Sequence, residues 1–259
     1  MTTPKKQIFQ HVRGEAAVRG GRRVSLEFHA GDADAAIPAT LLLPDRRDPG
    51  PGVLLLHGYS SRKEHLADTL GPALLAHGIA SLAVDLPLHG TRQDPVQAQA
   101  ARHPLTMFSL WRQAREETAL AARFLRARAE VRADCTAVLG YSLGSYLAVQ
   151  LAADDPAIRA VVLAAGGDLP RGTPLAAVAR GVADPVRAVR KLAGRPLLMV
   201  HGRQDRTVRP DQAERLFAAA GEPKEIRWYD AGHILPPGSS DWVAAWLRKA
   251  LVRDEARSA

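Results

Sequence analysis

The sequence predicts an α/β fold, with a mostly parallel central sheet that carries helices on both faces. Predicted strands and helices alternate along the chain, as they do in βαβ units. The inner strands read as short apolar runs, for example at residues 53–56 and 196–200, as expected for buried strands. The length of 259 residues suits one domain with a large core, so we predict a single domain over residues 1–259.

The first third of the chain is predicted to form one edge of this sheet and its first buried strands. Residues 1–20 are predicted to be a peripheral arm. The elements that follow are two strands at residues 22–29 and 39–43, a buried strand at 53–56, a helix at 64–77 and a strand at 79–84. The first two strands are expected to be antiparallel at one edge, and Gly78 is expected to end the helix.

The longest predicted helix, at residues 107–131, has a core-facing stripe at three- and four-residue steps: Met107, Trp111, Ala114, Thr118, Ala121 and Leu125. After it we predict strands at residues 136–139, 158–164, 196–200 and 225–229, and helices at 143–153 and 243–251. Residues 166–195 form a short lid-like insert that three prolines interrupt, so the predicted lid is minimal. Residues 253–259 are predicted to be a frayed tail.

The net charge of +8 comes from 35 basic and 27 acidic residues. Arginines between residues 112 and 128 are interleaved with glutamates, which favours a solvated helix face over a nucleic-acid site but leaves an acidic partner or substrate open. A single cysteine rules out an intramolecular disulfide framework. No secretory signal and no apolar stretch of about 18 residues are seen, so we predict no membrane span and a cytoplasmic location. The oligomeric state is left open.

The pentapeptide Gly-Tyr-Ser-Leu-Gly from Gly140 to Gly144 carries most of the functional information. It has the G-x-S-x-G spacing of a nucleophile elbow, in which a sharp strand-to-helix turn exposes a serine hydroxyl. An apolar run precedes it and a helix-compatible run follows it, as the motif requires. We therefore predict that Ser142 is a nucleophile.

Two later residues complete a catalytic triad in the order Ser, Asp, His. Asp205 follows the predicted strand at residues 196–200, and His233 follows the one at 225–229. Serine needs a base to accept its proton, and His233 is the predicted base. Asp205 is predicted to hold the imidazole tautomer and to stabilise the imidazolium. Asp85 also follows a strand, but it precedes the serine in the chain, so we interpret it as structural.

The oxyanion hole is predicted to consist of two backbone N–H groups. One belongs to Leu143, directly after the nucleophile, and the other to Tyr59, after the strand that ends in His57-Gly58. His57 is predicted to orient this loop. His57, His89 and His201 lie near strand ends but lack metal-ligand spacing, so we predict no metal. Phe108 and Trp111 are predicted to line a substrate pocket, with ordinary core packing as the alternative.

These motifs, together with residues 56–64 and 84–92, resemble those of the α/β-hydrolase superfamily over nearly the whole chain. Within it, the chain is similar to small bacterial carboxylesterases of the dienelactone-hydrolase-like group. The resemblance implies an α/β-hydrolase fold and ester hydrolysis through an acyl-serine. Dienelactone hydrolases proper carry a cysteine nucleophile where this chain has Ser142. Cys135 is interpreted as a core residue.

The predicted function is a serine carboxylesterase acting on small or short-acyl esters with water as the second substrate and no cofactor. A thioesterase, an acyltransferase or a peptidase of the prolyl-oligopeptidase type would use the same triad, because the fold does not determine the substrate. The alternative from another class is a non-catalytic ligand-binding protein on the same fold. We predict no nucleic-acid partner.

Overall fold

The computed structural model describes residues 7–31, 35–100, 103–172, 174–192 and 194–252. Its strands form one sheet in the order β1-β2-β3-β5-β4-β6-β7-β8-β9, counted over those residues. The strands are β1 (Phe9–Val18), β2 (Gly21–His29), β3 (Ile37–Pro44), β4 (Gly50–Leu56), β5 (Ala80–Val84), β6 (Val131–Tyr141), β7 (Ile158–Ala164), β8 (Leu197–Gly202) and β9 (Lys224–Tyr229). Strands β4 to β9 run parallel to one another. At one edge β1, β2 and β3 pair antiparallel, and β3 is also antiparallel to β5. The predicted mostly parallel sheet with an antiparallel edge is confirmed.

The helices are α1 (Lys63–Thr69), α2 (Gly71–Ala76), α3 (Pro95–Ala100), α4 (Pro104–Arg126), α5 (Leu143–Asp154), α6 (Pro174–Ala183), α7 (Pro185–Arg190), α8 (Pro210–Ala219) and α9 (Ser239–Val252), with a 3-10 turn at Gly90–Arg92. They cover both faces of the sheet, because successive side chains of each buried strand point to opposite faces. In β4, Leu54 and Leu56 join the core beneath α4, α5, α7 and α8, whereas Val53 and Leu55 join the core beneath α1, α2 and α9.

Two helix predictions were wrong in their extent. The helix predicted at residues 64–77 is two helices that meet at Leu70. Pro72 has no N–H to donate to the preceding turn, and its ring clashes with a continuing helix. The helix predicted at 107–131 ends at Arg126, because Val131 pairs with Gly50 of β4 and so begins β6.

The N-terminal arm and the lid-like insert both contain regular secondary structure. The described part of the N-terminal arm forms β1, an exposed edge strand that pairs with β2. The insert at residues 166–195 contains α6 and α7. The predicted tail at 253–259 lies outside the described residues.

Candidate active site

The turn between β6 and α5 holds Ser142 in a backbone conformation that L-residues rarely adopt, with φ 51° and ψ −113°. Glycines on either side make this turn possible. A Cβ on Gly140 would lie 2.1 Å from the carbonyl oxygen of Gly144, and a Cβ on Gly144 would lie 2.0 Å from that of Leu56. Both separations are far below contact distance, so only glycine allows the helix to approach the strand this closely.

Ser142, His233 and Asp205 lie in one hydrogen-bonded line at the carboxyl ends of β6, β9 and β8. The His233 Nε2 atom is 2.9 Å from the Ser142 Oγ, and the His233 Nδ1 atom is 2.8 Å from the Asp205 Oδ2. An ionised carboxylate only accepts hydrogen bonds, so Nδ1 carries the proton. The neutral Nε2 then faces the serine hydroxyl as an acceptor, which is the arrangement that a general base requires.

The carboxylate of Asp205 is buried and held by its own loop. Its Oδ1 accepts hydrogen bonds from the backbone N–H groups of Thr207 at 2.8 Å and Val208 at 3.0 Å. These bonds leave Oδ2 for His233. The loop is closed from beneath by His201, whose Nε2 donates to the Val208 carbonyl oxygen at 2.8 Å. Burial lowers the pKa of His201, so its ring is neutral beside the carboxylate.

The two predicted oxyanion donors are the backbone N–H groups of Tyr59 and Leu143. A Cβ on Gly58 would lie 3.2 Å from the Ser142 Cβ, so the loop that carries Tyr59 runs directly beside Ser142. Leu143 is the first residue of α5, where helical N–H groups have no acceptor within the helix. Neither N–H donates to an acceptor in the described part of the chain. Both are therefore available to a ligand oxygen, and the positive end of the α5 dipole adds to their effect.

His57 fixes the backbone of this loop. Its Nε2 accepts from the backbone N–H of Leu86 at 3.1 Å, so its Nδ1 carries the proton and donates to the Gly58 carbonyl oxygen at 2.8 Å. The ring is 1% exposed, and burial lowers its pKa to about 4. The prediction that His57 orients the loop agrees with these contacts.

The low pKa of His57 predicts a loss of stability in mild acid. In the unfolded chain an imidazole takes up its proton near pH 6.5, whereas the folded protein resists protonation until about pH 4. The free energy of unfolding is therefore unaffected by protonation of His57 above pH 6.5. It falls by about 3 kcal/mol as the pH falls from 6.5 to 4. Urea unfolding across this range measures it. His57→Gln should flatten the dependence, and equal slopes for the two proteins would contradict the assignment.

Asp85, at the end of β5, is occupied by structural contacts. It accepts hydrogen bonds from the backbone N–H of Lys63 at 2.8 Å, from the Lys63 ammonium at 2.9 Å and from Thr91. Burial alone would raise the pKa of the Asp85 carboxyl, but the bonds from Lys63 and Thr91 outweigh it and leave the pKa lowered. This carboxylate ties the loop after β4 to the loop after β5, as its structural interpretation requires.

Phe108 and Trp111 are half-buried on α4. Trp111 packs against the core beneath α4 and α5. Within the described residues, no ring contact or hydrogen bond joins either side chain to the triad. Their assignment to a substrate pocket stays a prediction. Cys135 is buried on β6 and its thiol donates to the Leu251 carbonyl oxygen at 3.1 Å, in keeping with a core role.

Sequence reasoning missed Tyr141, which contacts His233 of the candidate triad. Its hydroxyl donates to the backbone carbonyl oxygen of His233, and the two rings lie edge to face with centroids 5.8 Å apart. Its position beside the nucleophile was visible in the motif, but its contact with a residue 92 positions away was not.

Two further observations concern what the site and its surroundings could hold. In the ranges that the structure describes, no three His, Cys, Asp or Glu side chains are grouped as a metal site would require. Across the same residues, no helix is both long enough and apolar enough to cross a membrane.

Comparison with known proteins places the chain in a family. The sequence pattern of the alpha/beta hydrolase family matches residues 53–195, which is more than half of the chain. The chain belongs to the alpha/beta hydrolase family. The resemblance inferred from the motifs is therefore confirmed, and so is the fold.

This hydrolase is also similar to individual proteins. Over 107 residues it is 38% identical to carboxymethylenebutenolidase from Rhodococcus opacus, a match that covers 40% of each chain. The structure of acetyl xylan esterase 1 from Thermoanaerobacterium sp. JW/SL YS485 superposes with a TM-score of 0.75 at 21% identity, over 95% of this hydrolase and 88% of that chain. A cold-adapted esterase from an Arctic intertidal metagenomic library superposes with a TM-score of 0.71 at 20% identity, over 92% and 98%. Structural likeness at these identities shows a shared fold.

Proposed function

We propose that this hydrolase is a serine carboxylesterase that cleaves small or short-acyl esters through an acyl-serine intermediate. The observation that carries the proposal is the line from Ser142 through His233 to Asp205, with hydrogen-bond distances of 2.9 and 2.8 Å. The similarity to a protein named carboxymethylenebutenolidase supports a carboxylic ester as the substrate class.

The proposed reaction has two halves. In the first, Ser142 Oγ attacks the ester carbonyl while His233 Nε2 takes the hydroxyl proton, and the N–H groups of Tyr59 and Leu143 stabilise the oxyanion. His233 then gives this proton to the leaving alcohol, and the acyl-serine remains. In the second half, His233 takes a proton from water, the resulting hydroxide attacks the acyl group, and Ser142 recovers its proton as the acid leaves.

Labelling by a fluorophosphonate separates this proposal from the alternative of a non-catalytic ligand-binding protein. An activated serine is expected to be labelled at Ser142, and the labelled peptide is identified by mass spectrometry. Cys135→Ala is the matched control and should label like the wild type, because its thiol is buried. An unlabelled wild-type protein would favour the binding protein. Turnover of thioester and peptide substrates, and acyl transfer to added alcohols, would test the other enzyme classes that share the triad.

We expect a preference for acyl chains of about two to four carbons, on the scale of a compact pocket. A long-chain lipase shields an extended apolar groove, whereas the insert at residues 166–195 here contains the short helices α6 and α7. The measurement is kcat/KM on p-nitrophenyl esters from acetate to palmitate. A maximum at long chains would reassign the protein as a lipase.

The variant Trp111→Ala tests the pocket assignment within the same ester series. If Trp111 bounds the acyl pocket, the preference should move toward longer chains. A fall in melting temperature with an unchanged preference would instead assign Trp111 to the core.

A further inference from the structure

The loop that carries His233 has few backbone hydrogen bonds of its own. Backbone hydrogen bonds anchor it before and after the histidine, from Gln204 to Ala231 at 3.0 Å and from Ser239 to Pro236 at 3.0 Å. Between them, residues 233–235 make no backbone–backbone hydrogen bond to any described residue. Ile234 is 80% exposed and adds little packing, whereas Leu235 packs against the core beneath α1, α2 and α9. The imidazole must nevertheless keep hydrogen-bond distance to both Ser142 and Asp205.

Tyr141 contacts His233 at two points. Its hydroxyl donates to the backbone carbonyl oxygen of His233. Its ring packs edge to face against the His233 imidazole, with centroids 5.8 Å apart. Burial raises the pKa of Tyr141, so the phenol keeps its proton and remains a donor.

The backbone of Tyr141 is itself held firmly. It is the last residue of β6, where it pairs with Ala164 of β7, and it directly precedes Ser142. The side chain packs in the core beneath α1, α2 and α9. The end of β6 therefore carries Ser142 and, directly before it, the side chain that binds the backbone of His233.

We propose that Tyr141 is a positioning residue that holds the His233 loop at the distance from Ser142 required for proton transfer. This inference rests on the proposed serine mechanism and assigns a role within it. The Tyr141 hydroxyl binds the main-chain oxygen of His233 and leaves both ring nitrogens of His233 free for Asp205 and Ser142. Its hydroxyl should thus affect the chemical step more than substrate binding.

Tyr229 offers a matched control. It lies at the end of β9, four residues before His233, and packs against the same core as Tyr141. Its hydroxyl is buried and has no hydrogen-bond partner among the described residues. Tyr229→Phe therefore removes the same atom from the same kind of environment without removing a bond to the loop.

The test compares Tyr141→Phe with Tyr229→Phe and the wild type on a short-chain p-nitrophenyl ester. We expect kcat of Tyr141→Phe to fall by about 10- to 100-fold with KM little changed, because small misplacements of a catalytic group have effects of that size. Tyr229→Phe should keep the wild-type kcat. Equal kcat values for the two variants would overturn the proposal, even if their melting temperatures differ.

A second measurement does not depend on turnover. The proton between His233 Nδ1 and Asp205 is expected to give a far-downfield signal in ¹H NMR of the wild type. This signal should broaden or vanish in Tyr141→Phe and persist in Tyr229→Phe. An unchanged signal in Tyr141→Phe would overturn the inference. Failure of the proposed function is distinguishable, because there the wild type itself would neither hydrolyse esters nor react with the fluorophosphonate.

Discussion

Replacing Ser142 with alanine is expected to abolish ester hydrolysis, with kcat falling by about 10⁶-fold, as in serine hydrolases where the nucleophile has been removed. The hydroxyl is the only group lost, and alanine keeps the Cβ that the strained turn already accommodates. The fold should therefore survive. His233→Ala should have a similar effect, and the double variant should be little worse, because the triad acts as a unit.

Ester hydrolysis and thermal unfolding are measured on the same preparations of Ser142→Ala. If Ser142→Ala failed to fold, the loss of activity would be due to disruption of the turn and not to loss of the nucleophile. Ser142→Cys therefore provides a second test. A thiol at this position should still be acylated and should be blocked by iodoacetamide, since a thiolate is a strong nucleophile. Substantial hydrolysis by Ser142→Ala would contradict the assignment outright.

Asp205→Asn is expected to reduce kcat by about 10⁴-fold, the size seen when the corresponding change reverses the histidine tautomer. The Oδ1 atom faces two N–H donors, from Thr207 and Val208, so the asparagine oxygen must take that position. The amide NH₂ then points at His233 Nδ1, which can only accept from it. The ring proton moves to Nε2, and the base can no longer take a proton from Ser142.

Asp85→Asn is the matched control for the loss of a buried carboxylate. Asp85 bonds to Lys63 and Thr91, so its substitution should lower the melting temperature and leave the His233 tautomer intact. Steady-state kinetics and the downfield proton of His233 report the two effects separately. If Asp205→Asn kept most of its activity and Asp85→Asn lost it, the acid of the triad would be Asp85.

Much of this molecule could be predicted from local sequence. Buried parallel strands are covered on both faces, so they appear as apolar runs, and those at residues 53–56 and 196–200 became β4 and β8. The turn around Ser142 needs glycines at Gly140 and Gly144, which leaves a recognisable spacing. Loops after parallel strands meet at one edge of the sheet, so chain order alone indicated Asp205 and His233 as partners of the serine.

Helix boundaries were less accurate because neighbouring elements compete for the same residues. The helix predicted from the apolar stripe extended to Val131, but that residue pairs with Gly50 and belongs to β6. In the segment at 64–77 a proline outweighed a pattern that would otherwise support one helix. These are cases in which tertiary contacts or one residue's covalent geometry override periodicity.

The sequence by itself determined the fold class and supplied the residues of the candidate site, because both depend on residue types at short spacing. Only the tertiary structure decided which distant atoms support those groups. The hydroxyl of Tyr141 meets the carbonyl oxygen of His233 across 92 positions, and the carboxylate of Asp85 meets Lys63 and not the imidazole. Such contacts depend on strand order and loop paths, which bring residues together irrespective of their separation along the chain.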